Sequence, residues 1–156
     1  GMDGTWIAHP GLYESAYNGF QEERVINGKN QISLKKIVQI SKDDLLKMPD
    51  GLVTLDGVKT NVHAYIKYIE SWLNGVGAVA INSMMEDAAT AEISRLQLWQ
   101  WKNNKIKIDD SVIDINFIMN LVKKETSNNI LLKFVENDLN SNNPEQFLTL
   151  NLYNYI

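Results

Sequence analysis

Apolar residues recur at helical intervals through the second half of this chain and without a clear period through the first. From Asp56 onward Val58, Val62, Ile66, Ile69 and Leu73 follow one another at spacings of four, four, three and four, with Gly75 just beyond. That spacing predicts one long helix with a single apolar face, stopped by glycine. Gly75-Val76-Gly77 fits such a stop, being too short for a dinucleotide fingerprint and following no predicted strand. A second helix is predicted from about Met84 to Lys102. Met85, Ala89, Ile93 and Leu96 share one of its faces, and Leu98, Trp99 and Trp101 widen it. Ser83 and Glu86 stand at capping-box spacing for its start. A third helix, capped by Ser111, would carry Val112, Ile115, Ile118, Met119 and Val122, with Lys123 and Lys124 in its last turn, where cations suit the dipole. A fourth starts at Ser127, with Ile130, Leu131, Phe134 and Val135. A last one starts at Asn143-Pro144 and holds Phe147, Leu148 and Leu150. The fold class is therefore mainly α, with a C-terminal helical bundle.

Toward the N-terminus, Trp6-Ile7-Ala8 reads as a strand end and Pro10 as the first residue of a helix reaching about Glu22. Asn27-Gly28 marks a turn. Arg24 to Ile40 has no clean period, although Ile32 and Leu34 alternate. Ser41 with Asp43 and Asp44 has the form of a cap and acidic first turn, and Met48-Pro49-Asp50-Gly51 is the strongest boundary signal.

Composition narrows the function classes. The 156 residues suit one main core, and 19 acidic against 15 basic side chains give a net charge of -4, which disfavours an extended nucleic-acid footprint. With no cysteine in the chain, disulfides, thiolate zinc sites and cysteine nucleophiles are excluded. No apolar run is long enough for a membrane span and no secretory pattern opens the chain, so the expectation is a cytoplasmic protein without a membrane partner.

Candidate chemistry is sparse. His9 and His63 are far apart with no acidic residue at ligand spacing, so no metal set is expected among them. Trp99 and Trp101, two residues apart, cannot share a helix face and are better explained by packing than by base stacking. Lys35-Lys36 and Lys123-Lys124 are pairs, not patches. Glu86 and Asp87, near a predicted helix start, read first as helix punctuation, because anionic side chains are stabilised there.

One segment says more. Met85-Glu86-Asp87-Ala88-Ala89-Thr90-Ala91-Glu92-Ile93-Ser94-Arg95, followed by Gln97-Leu98-Trp99-Gln100-Trp101, resembles the signature segment of the malate synthase family. Asp3-Gly4-Thr5-Trp6-Ile7-Ala8-His9-Pro10 is similar to a segment near the end of that family's catalytic barrel. Asn30-Gln31, Leu45-Leu46 and Asn61-Val62 fall in matching order, and Phe147-Leu148-Thr149-Leu150 with Tyr153 resembles the family's C-terminus. The likeness extends over essentially the whole chain.

The resemblance implies a TIM-barrel enzyme covered by a C-terminal helical plug, which condenses acetyl-CoA with glyoxylate and hydrolyses the thioester to malate, using magnesium, in the glyoxylate cycle. Residues 1–44 would be the barrel's end and a linker, and residues 45–156 the plug. It also implies that Asp87 is the general base, that Met85 lies beside it near the acetyl group, and that Trp6 and Pro10 approach coenzyme A. The family's active-site arginine and acidic magnesium ligands come from earlier barrel strands, so no metal ligand is assigned in this sequence. A chain beginning near the last barrel strand cannot close an eight-stranded barrel. The expectation is a portion inactive alone, with apolar surface left for a barrel-containing chain or for self-association. The alternative is a stand-alone, non-catalytic acyl-CoA-binding or protein-interaction domain.

Overall fold

The computed structural model describes residues 4–27, 38–47, 51–82 and 84–155. The chain divides into two units, residues 1–50 and 51–156. In the first, a 3-10 turn at Pro10–Leu12 runs into α1 (Tyr13–Asn27). The His9 ring starts that turn, Nδ1 accepting from the Gly11 amide at 3.0 Å. The expected strand end at Trp6-Ile7-Ala8 does not form; with no neighbour to pair with among the described residues, that stretch lacks the ladder that makes a strand. α2 (Lys42–Leu46) has the cap its sequence announces. Ser41 Oγ accepts from the Asp44 amide at 3.1 Å and Asp44 Oδ2 accepts from the Ser41 amide at 2.9 Å. The turn at Gly28, the alternation at Ile32 and Leu34, Lys35-Lys36, and Met48-Pro49-Asp50 lie outside the described residues.

The second unit is helical and is organised around α3 (Leu55–Leu73). Its apolar stripe is buried as the spacing predicts: Val58, Val62, Ile66 and Ile69 are 0–1% exposed, and Leu73 is half-buried. Burying each such side chain contributes about 1.5–3 kcal/mol, so this face alone accounts for much of the core. Gly75, at φ 81, ends the helix. Its amide donates to Trp72 O and that of Val76 to Ser71 O, the paired bonds of a glycine stop.

Two antiparallel hairpins interrupt the helices. β1 (Ala78–Ile81) pairs with β2 (Met84–Asp87), with Ala78 opposite Asp87 and Ile81 opposite Met84. Asn82 enters the connection at φ 50, a left-handed conformation that asparagine tolerates. The second predicted helix therefore begins four residues late, as α4 (Ala88–Asn103). Met84 to Asp87 is claimed by β-pairing, and Glu86 faces Val79 across the hairpin instead of closing a helical turn; Ser83 lies outside the described residues.

β3 (Lys107–Ile108) and β4 (Ser111–Val112) form the smaller hairpin. Ser111 is thus a strand residue, and Asp114 caps α5 (Ile115–Glu125), accepting from the Phe117 amide at 2.7 Å. Asn128, one position past the expected Ser127, caps α6 (Asn129–Asn140). The last helix is α7 (Leu148–Leu152), not one beginning at Pro144. Its first residue is held from a distance, the Leu148 amide donating to the Glu92 carboxylate of α4. α3 packs against α4, α5 and β1, and α5 against α6. Among the described residues no helix is long and apolar enough to cross a membrane.

Candidate functional site

Two of the four sequence candidates, Met85 and Asp87, lie where β2 turns into α4. Asp87 ends the strand with extended dihedrals (φ -120, ψ -169) and caps the helix, Oδ1 accepting from the Ala89 amide at 2.9 Å. The capping geometry fixes the carboxylate at an exposed position and leaves Oδ2 without a protein partner among the described residues. Met85, two residues back in the strand, is half-buried, and strand alternation directs it to the same side as Asp87. These two candidates are brought together. Trp6, 92% exposed, and Pro10, which opens the 3-10 turn, belong to the other unit.

Further along α4 lies a buried ionic network that sequence reasoning missed. Arg95 is fully buried on α4. Its Nε and one terminal nitrogen reach Glu92 Oε2 at 2.9 and 2.7 Å, and that same nitrogen donates to the Glu145 carbonyl at 2.8 Å. The other terminal nitrogen reaches Asp138 Oδ1 of α6 at 3.0 Å. Asp138 Oδ2 accepts from the Tyr65 hydroxyl of α3 at 2.6 Å. Burial opposes the Arg95 charge, but Asp138 and Glu92 more than offset it and hold its pKa above the ordinary value. Burial pushes the Tyr65 phenol well above its usual value, and the Asp138 charge adds to the effect. One sequence signal was available: Ala91, Arg95 and Leu98 are spaced by four and three, so an arginine occupies an apolar-stripe position.

Further clasps fix α4. Trp99 Nε1 donates to the Ser141 carbonyl at 2.7 Å and Lys102 Nζ to the Leu139 carbonyl at 2.6 Å. His63 Nδ1 lies 2.7 Å from Glu125 Oε2, tying α3 to α5. A polar cleft of about 330 Å³ borders this network, with Asp138 and Glu145 in its lining beside Phe134, Asn137, Ser141 and Tyr155, and holds none of the sequence candidates. Among the described residues no group of three or more histidines and carboxylates is placed to hold a metal ion.

Comparison with known proteins gives the same segment a context. The profile of the family described as malate synthase, C-terminal, matches residues 52–156. The malate synthase of Myxococcus xanthus is 46% identical over 111 residues, covering 70% of this chain and 20% of the relative. The glyoxysomal malate synthase of Gossypium hirsutum is 34% identical over 177 aligned positions, covering 100% of this chain and 31% of the relative. The bifunctional glyoxylate cycle protein of Caenorhabditis elegans is 40% identical over 134 residues, 84% of this chain and 14% of the relative. The chain thus spans under a third of the length of each of these relatives.

Proposed function

The chain belongs to the malate synthase family, and on that premise we propose that it supplies the general base for the condensation of acetyl-CoA with glyoxylate. Asp87 takes a proton from the acetyl methyl group. The C–H electron pair becomes the enolate double bond as the thioester carbonyl pair moves onto its oxygen. The enolate carbon then attacks the glyoxylate aldehyde carbon, the thioester carbonyl re-forms, and the aldehyde π pair moves to its oxygen, which takes a proton to become the malate hydroxyl. Water then cleaves the thioester, giving malate and CoA. The observation that carries this reading is the placement of Asp87: an exposed carboxylate with one oxygen held by the Ala89 amide and the other open, at the start of a helix that the Arg95 network ties to α6.

A carboxylate is a far weaker base than the enolate it forms, and each pKa unit of mismatch costs about 1.4 kcal/mol. The reaction therefore requires donors aimed at the developing enolate oxygen. Magnesium, when bound in the family's enzymes, polarises the aldehyde. The described residues offer no ligand set for it, and in this reading both the metal and the donors are held by barrel strands outside these 156 residues. Met85 lines the acetyl side, and Trp6 and Pro10 lie along the approach of coenzyme A. Ile93, 59% exposed, and Leu96, 39% exposed, give α4 an outward apolar face suited to a covering chain. Cytoplasm, the expectation drawn from the sequence, stays part of this proposal.

The test is malate formation from acetyl-CoA, glyoxylate and magnesium, by the 156-residue protein alone and mixed with a separately produced malate synthase barrel. Turnover in the mixture and none alone is the expected result. A mixture that stays silent while the chain binds CoA would replace this reading with that of a stand-alone acyl-CoA-binding domain.

A further inference from the structure

Building on Asp87 as the base, we infer that Tyr68 is a positioning residue of the same site, its buried hydroxyl directed toward the Asp87 carboxylate and linked to it through one bridging water. Tyr68 lies on α3, the helix that packs against both β2 and α4, the two elements that meet at Asp87. Its residue exposure is 2%, yet among the described residues its hydroxyl has no hydrogen-bond partner. That is an unusual state for a buried phenol, which ordinarily finds one. Tyr65, one turn earlier on the same helix, shows the satisfied alternative, its hydroxyl held by Asp138.

Two charges act on the Tyr68 ring. Burial raises its pKa first, and the Asp87 and Glu92 carboxylates raise it further, Asp87 more than Glu92. Glu92 is already occupied, with Arg95 on one oxygen and the Leu148 amide on the other. Asp87 keeps an oxygen open. The unpaired donor and the open acceptor thus belong to the same corner of the fold. No direct bond joins them, and a water with these two partners satisfies both. A donor at this place restricts how the carboxylate turns about its helix cap, which matters because misplacement of a reacting group by about 1 Å can cost about 100-fold in rate.

The experiment follows the Tyr68 ring by NMR in protein labelled at the tyrosine Cζ carbon, titrated through the alkaline range in wild type, Asp87→Asn and Glu86→Gln. The expected result is a Tyr68 midpoint that falls in Asp87→Asn and stays put in Glu86→Gln. An unchanged midpoint in Asp87→Asn overturns the inference. In the barrel-complemented assay, Tyr68→Phe is expected to lower kcat about tenfold with KM for acetyl-CoA unchanged, and an unchanged kcat overturns the positioning role. The titration needs no turnover, so its failure counts against the Tyr68–Asp87 link alone. A silent complementation beside a normal titration response counts against the function and not against the link.

Discussion

Arg95 and its partners concentrate the energetics of single residues in one place. A buried ion pair adds little over a well-packed apolar pair, but removing one member strands the others. Arg95→Ala leaves the buried Asp138 and the half-buried Glu92 without their cation and opens a void on α4, so urea denaturation at pH 7 should show a loss of about 3–5 kcal/mol. Tyr65→Phe keeps the shape and leaves Asp138 bonded to Arg95, and should cost only about 1–2 kcal/mol. The two variants also differ at high pH. Because burial and the Asp138 charge raise the Tyr65 pKa well above that of a free phenol, the folded state holds this proton more tightly than the unfolded chain. The corresponding stability is fully present below about pH 10 and is lost as pH rises through the folded-state value. Denaturation at a series of alkaline pH values should therefore show a steeper loss in wild type than in Tyr65→Phe. Equal slopes would mean that the Tyr65–Asp138 bond does not govern alkaline stability.

At the scale of elements, the cap that Asp87 forms at the β2–α4 junction can be separated by mutation from the base role proposed for it. Alanine removes both the cap and the carboxylate, whereas asparagine is an equally good cap without a basic oxygen. Asp87→Ala should lower stability by about 1 kcal/mol and Asp87→Asn by a few tenths at most, as read by thermal or urea unfolding. At the other end of α4, Lys105 takes a left-handed φ of 50 where a glycine normally sits, with its amide bonded to Lys102 O. Lys105→Gly should stabilise the protein by roughly 0.5–1 kcal/mol. These ends also show what the sequence could and could not convey. The α3 stripe was legible because burial on one face leaves a periodic record, and Gly75 marks its stop. The start of α4 is not legible because Ser83 and Glu86 stand at capping-box spacing while Met84 to Asp87 pair with Ala78–Ile81. Two-residue strands such as Lys107–Ile108 leave no period to read. α7 begins where a carboxylate from α4 accepts its first amide, a tertiary event with no local signature.

For the whole molecule, the family match and the helical core agree on a malate synthase C-terminal domain. The base role proposed for Asp87, in contrast, rests on the resemblance carried by Met85 to Arg95. On local pattern alone Asp87 is an acid near the start of a helix capped by Ser83, whereas in the structure it is itself the cap. Arg95, Asp138 and Tyr65 were missed because their partners are 43 and 73 residues apart in sequence, a pairing that no window of sequence displays. In the proposed function the same capping carboxylate does the proton transfer. That role is tested most directly by malate formation in the barrel-complemented mixture, comparing wild type with Asp87→Asn at matched stability. Removing a positioned base is expected to lower kcat by about 100-fold or more while the variant unfolds at the wild-type denaturant midpoint. Turnover by Asp87→Asn within a factor of about two of wild type would contradict the account and leave Asp87 with its cap alone.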